Sequence, residues 1–537
     1  MTTSTAPPLV DRFEHLVEVG RALARELDAA RLLDIIVAAA IRLCSADGAA
    51  LYRLNDAGDA LTFEIVHNRT LNWGEGGARA ADLALSAVPL AGVNGAPNHN
   101  AVVAHAALTR QSVRIADVYA VDGFDFAAAK RFDAQRGYRT RSLLAVPIID
   151  HRDALIGVLQ LVNALDGDGT VVEFSEDDQR LAEALTGLAG VVLANQLLIG
   201  QLEALFSGLV SLINTAIDEK SPYTSGHCQR VPVLTMMLAD AAHETADGPL
   251  AAFRMSENER DELFLAGMLH DCGKITTPVH VVDKATKLQT IGDRIDLVGA
   301  RFDALAADTH RRALERLQQG EDAATVAAEL AAERQAQDDD LAFLRRANVG
   351  QERMATEDIA RVHRIAERRY RAADGTLRPV LSPDEAANLA IPYGTLSPAE
   401  RAIINRHVES TIAMLEALPW PRHLARVPEY AGGHHERMDG GGYPKGLMRA
   451  QMSLPARMIC IADIFEALTA PDRPYKAAKT LSESLAILGK MREGGHVDPD
   501  LFDVFVRRKV YRDYAAKYMD PAQIDAVDES AIPGYRP

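Results

Sequence analysis

The residues best suited to chemistry in this sequence lie in two short segments that are far apart along the chain. The downstream segment begins with the adjacent pair His434 and His435 and continues into three glycines, Gly440 to Gly442. Neutral imidazole is the commonest protein ligand for transition metals, and consecutive glycines allow a backbone that bulkier residues cannot adopt. Pro444 restricts the backbone at the end of this loop. The segment therefore predicts a metal site beside a tightly turned loop.

The upstream segment is the run His-Asp-Cys-Gly-Lys from His270 to Lys274, at the end of an apolar helical stretch. His270 offers a nitrogen ligand, and the two oxygens of Asp271 can bridge a pair of metal ions. The cation Lys274 follows about one helical turn after His270. A nitrogen ligand, a bridging oxygen ligand and a cation in so short a run indicate a hydrolytic metal site with a phosphate nearby.

These two segments resemble the paired motifs of the HD-GYP family, in which His270-Asp271 matches the His-Asp pair and Gly442-Tyr443-Pro444 matches the Gly-Tyr-Pro motif. The likeness extends from about residue 214 to about residue 506, with one large interruption. HD-GYP proteins are bacterial phosphodiesterases of cyclic dinucleotides, chiefly cyclic di-GMP. The resemblance therefore implies an all-α HD-type catalytic domain with this activity.

The resemblance also implies a set of metal ligands made of five histidines and two aspartates. Seven ligands are too many for one ordinary site, so we expect two divalent metal ions. Mixed imidazole and carboxylate ligation suits iron or manganese, and zinc remains open. Members with three metals carry a glutamate four residues before the first histidine, where this chain has Tyr223. The implied metal ligands are His227, His270, Asp271, His407, His434, His435 and Asp463.

Asp271 and Lys274 are the implied catalytic residues, with Lys274 holding a non-bridging phosphate oxygen. A downstream segment, residues 467–476, resembles the part of the family that binds the substrate phosphate. It departs from the family by one extra residue, and Glu466 replaces the usual aspartate, so that either change can shift substrate choice. The substrate-binding candidates are Lys274, Arg473, Lys476 and, from the glycine loop, Tyr443.

An α+β sensor domain is expected upstream of the catalytic domain. Residues 142–149 and 154–163 read as the two strands of a hairpin, with His151 to Asp153 supplying the turn. This pattern resembles a GAF domain, which implies an antiparallel sheet with flanking helices and an unknown small-molecule ligand. Three residues fit the cyclic-nucleotide signature of some GAF domains only loosely, and we interpret them as structural: Asn163, Phe174 and Asp178.

A long helix is predicted from about Glu176 to Asp218. Its apolar residues recur in alternating steps of four and three, with Asn195 as the one polar member. We interpret the repeat as a parallel dimer seam, which predicts a homodimer, and the alternative is a helix packed on its own two domains. The predicted seam consists of Leu181, Leu185, Leu188, Val192, Asn195, Ile199, Leu202, Phe206, Leu209 and Ile213.

The predicted order is an N-terminal tail (1–15), a GAF-like sensor (16–180), a linker and dimerisation helix (181–213) and an HD-GYP-like domain (214–537). The catalytic domain is interrupted by residues 289–393, which are rich in helix-forming residues and predict a helical insertion. The insertion has no cluster of potential metal ligands. We therefore expect it to be dispensable for metal binding but to influence access to the site.

Composition limits the class of protein further. The net charge of −17 argues against a general nucleic-acid-binding surface. The four cysteines have no paired spacing, which argues against a disulfide framework and fits a reducing cytoplasm. The uncharged stretch from Ala184 to Leu202 is long enough to span a membrane but contains four polar residues and lacks basic or aromatic flanks. We expect a cytoplasmic protein without a membrane span.

The leading hypothesis is a sensor-gated phosphodiesterase that converts cyclic di-GMP to pGpG, with GMP as a further product. One alternative keeps the enzyme and changes the substrate to another cyclic dinucleotide such as cyclic GMP-AMP. Another is a catalytically silent signalling module. In the family the Gly-Tyr-Pro loop also contacts diguanylate-cyclase domains, which makes proteins with such domains candidate partners.

Overall fold

The computed structural model describes residues 9–26, 28–77, 86–92, 94–220, 226–350, 353–470 and 478–536. It divides the chain into two compact units, residues 1–206 and residues 207–537. One long helix contributes residues to both units. The first unit contains a β-sheet, and the second is almost entirely helical.

The first unit is built on an antiparallel sheet of eight strands. They are β1 (Ala46–Leu54), β2 (Ala60–Asn68), β3 (Trp73–Gly76), β4 (Val88–Pro89), β5 (Val113–Ile115), β6 (Leu143–Ile149), β7 (Leu155–Leu165) and β8 (Val171–Val172). The strand order is β3-β2-β1-β7-β6-β5, with β4 paired to β2 and β8 paired to β7. The predicted hairpin is present as β6 and β7. Its turn is closed by Asp150, whose carboxylate accepts the backbone N–H groups of Arg152 and Ala154.

Helices cover both faces of this sheet, because neighbouring residues of a strand point to opposite faces. The helices are α1 (Leu9–Leu23), α2 (Ala29–Leu43), α3 (Val102–Thr109) and α4 (Ala127–Arg136). Leu51, Leu144 and Leu159 face a core formed with α1 and α2. Tyr52 and Val158 face a second core that includes residues of α3.

The three residues that loosely match a cyclic-nucleotide signature have structural roles. The Asn163 side chain accepts the Arg141 N–H and donates to the Tyr138 hydroxyl. Phe174 is buried in the core shared with α1 and α2. Asp178 accepts hydrogen bonds from the N–H and hydroxyl of Ser175. These contacts agree with their interpretation as structural residues.

Helix α5 (Glu176–Lys220) is 45 residues long. Leu181 and Leu185 are buried in the core of the first unit, so these two members of the predicted dimer seam are inaccessible to a partner. The physical reason is that the first turns of α5 cover the sheet. By length and composition alone α5 is apolar enough to cross a membrane, and a single helix of this kind is weak support for a span. The predicted absence of a span stays a prediction.

In the part of the second unit that the structure describes, the regular elements are helices and one small hairpin of β9 (Arg369–Arg371) and β10 (Leu377–Pro379). The helices are α6 (His227–His243), α7 (Glu257–Leu269), α8 (Val279–Val282), α9 (Ile295–Gln318), α10 (Ala323–Val349), α11 (Thr356–Ala366), α12 (Pro383–Leu389), α13 (Pro398–Asn405), α14 (His407–Glu416), α15 (Val427–Gly432), α16 (Leu454–Thr469), α17 (Leu481–Glu493), α18 (Pro499–Arg507) and α19 (Val510–Tyr518).

The segment predicted as an insertion, residues 289–393, includes α9 to α12 and the small hairpin. It has a hydrophobic core of its own, which includes Phe302, Leu344 and Val362. Its base is fixed by two buried lysines that precede it. The Lys287 ammonium donates to the carbonyl oxygens of Leu389 and Ile391 at 3.1 and 2.7 Å.

The second of these lysines ties the insertion to the helix that leads towards His407. The Lys284 ammonium lies 2.8 Å from a carboxylate oxygen of Glu400. Glu400 also accepts the N–H of Ser397, which closes a capping box at the start of α13. The two ends of the insertion are therefore held together by charge-assisted hydrogen bonds.

We expect the stability of this region to depend on pH through Lys287. Burial lowers the pKa of Lys287 to about 8, below the value of about 10.4 for an unfolded lysine. The unfolded chain thus binds more protons between these pKa values, so native stability rises from about pH 8 to about pH 10 and is lost as pH falls through about 8. The difference in melting temperature between wild type and Lys287→Met should follow this rise.

The matched control is Lys490→Met, which removes an exposed lysine at the end of α17. Its melting temperature should track wild type at every pH. A constant offset between wild type and Lys287→Met across this range would contradict the role assigned to Lys287.

Candidate metal centre and active site

The structure brings the seven predicted metal ligands into one cluster in the second unit. Six are buried and His435 is half-buried. They come from the starts of α6 and α14, the end of α7, the segment after α15 and the middle of α16: His227, His407, His270, Asp271, His434, His435 and Asp463. Helices that are distant in sequence therefore converge on one point.

Four side chains form a first half-site. The ligand atoms of His227, His270 and Asp271 all lie within 4.8 Å of one another. His227 Nε2 is 3.4 Å from Asp271 Oδ2 and 3.2 Å from Oδ1 of Asp463. His270 Nε2 is 3.3 Å from Asp271 Oδ2. Two imidazoles and two carboxylates thus face a common centre.

The remaining three histidines form a second half-site. The ligand atoms of His407, His434 and His435 also lie within 4.8 Å of one another. His407 Nε2 and His434 Nε2 are 3.2 and 3.9 Å from Asp271 Oδ1. Asp271 therefore turns one carboxylate oxygen towards each half-site, which is the placement expected of a ligand shared by two metal ions.

The hydrogen bonding of the cluster fits bound metal. Among the described residues, four buried atoms of the cluster have no hydrogen-bond partner: His270 Nε2, Asp271 Oδ1, His407 Nε2 and His434 Nε2. Unpaired buried polar atoms are costly. Because these four are the atoms that would coordinate metal, the donor set fits divalent cations at both half-sites.

The other ring nitrogen of three histidines is held by the local backbone. The Nδ1 atoms of His270, His407 and His434 lie 2.7, 2.5 and 2.6 Å from the carbonyl oxygen three residues earlier. A carbonyl oxygen can only accept, so each Nδ1 must carry the proton. Each Nε2 is then left with a lone pair directed at the centre, which is the tautomer that a metal requires.

His227 is oriented by a side chain. Its Nδ1 contacts Oε2 of Glu466, which is fully buried. The other oxygen of Glu466 accepts a hydrogen bond of 2.7 Å from Nε of Arg230. From the sequence, Glu466 was noted only as a replacement of the family's usual aspartate that can affect substrate choice. In the structure it contacts the predicted metal ligand His227. Its spacing of three residues from Asp463 on one helix face was the available signal.

The two half-sites differ in charge. Burial and then the neighbouring His435 lower the pKa of His434 well below its usual range, and burial lowers the pKa of His435 to about 4. At His227 burial opposes the charged form, but Glu466, followed by Asp271 and Asp463, raises the pKa above its usual range. Metal binding at the first half-site must therefore compete with a proton on His227.

A close backbone contact joins the two half-sites. The N–H of Gly273 donates to the Thr411 hydroxyl at 2.9 Å, and that hydroxyl donates to the carbonyl oxygen of His270 at 3.1 Å. A Cβ atom on Gly273 would lie 2.0 Å from the carbonyl oxygen of His407. Only glycine fits here, so the glycine of the upstream motif fixes α14 against the turn that carries Asp271.

The Gly-Tyr-Pro loop is fastened by Glu436, which is fully buried. Its carboxylate accepts the N–H groups of Lys445 and Leu447 at 2.7 and 2.8 Å. A Cβ atom on Gly442 would lie 2.4 Å from the backbone nitrogen of Arg437. The loop thereby holds the Tyr443 ring against the second half-site, stacked on His435 with ring centroids 4.9 Å apart.

The structure describes some of the predicted substrate-binding residues and not others. The Lys274 ammonium donates to Asp271 Oδ2 at 2.5 Å, at the edge of the metal centre. Arg473 and Lys476 lie outside the described residues, so their roles remain predictions. Arg406, which directly precedes His407, was not among the predicted site residues.

An open cleft of about 610 Å³ lies beside the Gly-Tyr-Pro loop. Tyr443 and Pro444 form one side, and Asn405 and Arg406 lie among its other lining residues. Arg406 is exposed, and its guanidinium makes no ion pair with any residue that the structure describes. The cleft thus offers a cation and an aromatic ring next to the metal centre.

Comparison with known proteins identifies both units. A family described as "GAF domain" matches residues 28–193, and two families described as "HD domain" match residues 224–361 and 356–501. Residues 28–193 therefore match a GAF domain, and residues 224–501 match an HD domain. With the Gly-Tyr-Pro motif in place, these matches confirm the predicted likeness to GAF-linked HD-GYP proteins and the predicted fold class.

Curated relatives resemble only part of the chain. The 3'3'-cGAMP-specific phosphodiesterase 1 of Vibrio cholerae is 41% identical over 114 residues, which is 21% of this chain and 26% of that protein. The cyclic di-GMP phosphodiesterase PA4108 of Pseudomonas aeruginosa is 38% identical over 114 residues, which is again 21% of this chain and 26% of that protein. The cyclic di-GMP phosphodiesterase response regulator RpfG of Xanthomonas campestris is 46% identical over 74 residues, 14% of this chain and 19% of its own. The matches thus span about a quarter of these relatives or less.

We expect Glu466 to act on metal binding through His227. The variant Glu466→Gln keeps the side-chain shape but weakens the hydrogen bond that orients His227, and loss of such a supporting partner typically lowers metal affinity by about 10- to 100-fold. Titration of the metal-depleted protein with Mn²⁺, followed by calorimetry, measures this directly.

The conservative variant Glu466→Asp retains the carboxylate and should recover part of the affinity. Exchange of exposed Glu493 for Gln on α17 serves as the control and should leave Mn²⁺ affinity unchanged. If Glu466→Gln binds Mn²⁺ as tightly as wild type, the positioning role is wrong.

Proposed function

We propose that this chain is a metal-dependent phosphodiesterase that opens cyclic di-GMP to pGpG, with GMP as a further product, under control of its GAF domain. The observation that carries the proposal is the seven-residue centre in which Asp271 turns one oxygen to each half-site. The relatives named as cyclic di-GMP and cGAMP phosphodiesterases support the same reaction class.

The centre would hold two divalent transition metal ions, and we propose iron or manganese from its mixture of imidazole and carboxylate donors. His227, His270 and Asp463 would serve one ion, and the three other histidines would serve the second, with Asp271 shared between them. When bound, such a pair supplies an activated water and neutralises charge on the phosphate. The proposed role of the protein is to fix these ligands rigidly.

The side chains around the centre have separate tasks in this proposal. The Lys274 ammonium binds a non-bridging phosphate oxygen, and although burial opposes its charge, Asp271 raises its pKa and keeps it protonated. A cyclic dinucleotide carries two phosphates, and the free guanidinium of Arg406 provides a partner for the second. Tyr443 forms a wall against which a base can stack. Arg473 and Lys476 remain proposed phosphate ligands.

A second substrate, 3'3'-cGAMP, is favoured by one observation. Several relatives of similar identity carry that name, including one at 42% identity over 111 residues. Both substrates present two phosphates to the same centre, so the metal ligands do not distinguish them. A panel of cyclic dinucleotides with product identification decides between the two.

The GAF domain supplies the proposed control. A cavity of about 520 Å³ lies between its sheet and the α3 and α4 side, with an aromatic lining that includes Tyr52, Phe63, Trp73 and Phe132. We propose that it takes a small molecule. The predicted homodimer, the cytoplasmic location and the contact of the Gly-Tyr-Pro loop with diguanylate-cyclase domains belong to the same proposal.

The first test is the variant Asp271→Asn in protein purified without oxygen. Because Asp271 faces both half-sites, we expect metal content to fall and turnover of cyclic di-GMP to drop by at least about a thousandfold. Circular dichroism should show an unchanged fold. A folded Asp271→Asn protein that hydrolyses cyclic di-GMP at the wild-type rate would refute the metal mechanism.

The second test separates substrate binding from metal binding. We expect Lys274→Ala to lower kcat by about 100-fold, the usual effect of removing one donor to the developing charge, with metal content near wild type. Arg406→Ala should mainly raise KM, since its proposed contact is with the second phosphate. Exposed Arg422 provides the control, and Arg422→Ala should change neither constant. Loss of metal from Lys274→Ala would show that this lysine builds the centre.

A further inference from the structure

Helix α5 carries an exposed apolar stripe along its middle. Its members recur in steps of three and four, and the seven apolar ones are 41–69% exposed. They are Leu188, Val191, Asn195, Leu198, Leu202, Leu205, Leu209 and Leu212. Isolated exposed leucines are normal on a protein surface, but a regular line of them marks an interaction site.

The stripe follows the heptad repeat of a coiled coil. Leu188, Asn195, Leu202 and Leu209 occupy one core position of the heptad, and Val191, Leu198, Leu205 and Leu212 occupy the other. The first of these positions belongs to the seam that the sequence predicted, and the second lies one residue earlier in the chain than predicted. Val192 of that predicted seam packs against the core of the first unit, so the accessible face is rotated towards Val191.

We propose that this stripe pairs with the same stripe of a second copy of the chain, as a parallel, in-register, two-stranded coiled coil. A single polar residue at one core position, here Asn195, specifies the register and oligomer state of a coiled coil. In register, Asn195 meets Asn195 of the second copy, and the two amides can bond to each other. A shifted register would bury each amide against leucine.

The amount of exposed surface suits this partner. The seven apolar side chains present on the order of 600 Å² per chain, which approaches the ~800 Å² that each partner of a standard interface buries. Exposed Ile199 flanks the stripe and adds to it. A helix in lipid would be apolar on all sides, whereas the same stretch carries exposed Gln201 and Glu203. A second copy of the chain therefore suits the exposed stripe better than a membrane does.

This inference rests on the homodimer in the proposed function and not on the reaction, so the assembly can be tested without substrate. The Asp271→Asn protein should remain dimeric even though it is inactive. Failure of the phosphodiesterase proposal would leave the coiled coil standing, and the reverse holds as well.

The test compares Leu205 with Leu197, an exposed leucine on the same helix that lies outside the stripe. In full-length protein, Leu205→Glu places two carboxylates in the seam and should raise the dimer dissociation constant by at least about a hundredfold. Light scattering coupled to gel filtration should then show monomers. Leu197→Glu should remain dimeric, and a monomeric Leu197→Glu or a dimeric Leu205→Glu would overturn the register.

Cysteine variants test the parallel arrangement. The four native cysteines are buried, so oxidation of Leu205→Cys should yield a cross-linked dimer, whereas Leu197→Cys should not cross-link. Equal cross-linking of the two would overturn the proposal. So would a wild-type protein that is monomeric, or one that is recovered on phosphatidylcholine–phosphatidylglycerol vesicles in place of a soluble dimer.

Discussion

The structure of the second unit depends on one buried carboxylate, that of Asp271. Its two oxygens lie 3.4 and 3.2 Å from histidines of opposite half-sites, and Lys274 lies 2.5 Å away. Burial opposes its charge, but Lys274 and then His270 lower its pKa well below the usual range, so it stays ionised. An ionised group at this depth is tolerable only with positive partners. Lys274, three residues later in the same turn, is the first of these partners.

The orientation of the side chains at this centre is fixed by hydrogen bonds to nearby backbone groups. Three histidines are fixed by carbonyl oxygens of their own preceding turns, and the contact of Gly273 with Thr411 sets the distance between two helices. The end of α5 adds a further constraint, because the Lys220 ammonium donates to the carbonyl oxygen of Lys274 at 3.2 Å. The turn that carries Lys274, a proposed phosphate ligand, is therefore held by the end of α5.

The sequence was informative where chemistry depends on residue type within a short motif. The His-Asp pair, the two histidines after α15 and the glycine loop predicted a cluster that the structure assembles. The sequence did not predict that Glu466 contacts a metal ligand or that Arg406 lines the cleft. The surroundings of both residues are set by helices far away in sequence. The insertion was predicted as helical, but its own core and small hairpin depend on contacts among segments that propensity alone does not pair.

The dimer seam shows the limit of periodicity most clearly. Along α5 the residues next to the stripe, such as Val192 and Ile199, are as apolar as Val191 and Leu198, so two registers satisfy the same spacing. Burial distinguishes them at Val192, which packs against the core of the first unit because the first turns of α5 cover the GAF sheet, whereas Val191 is exposed. The packing of Leu181 and Leu185 thus decides which face a second copy can reach.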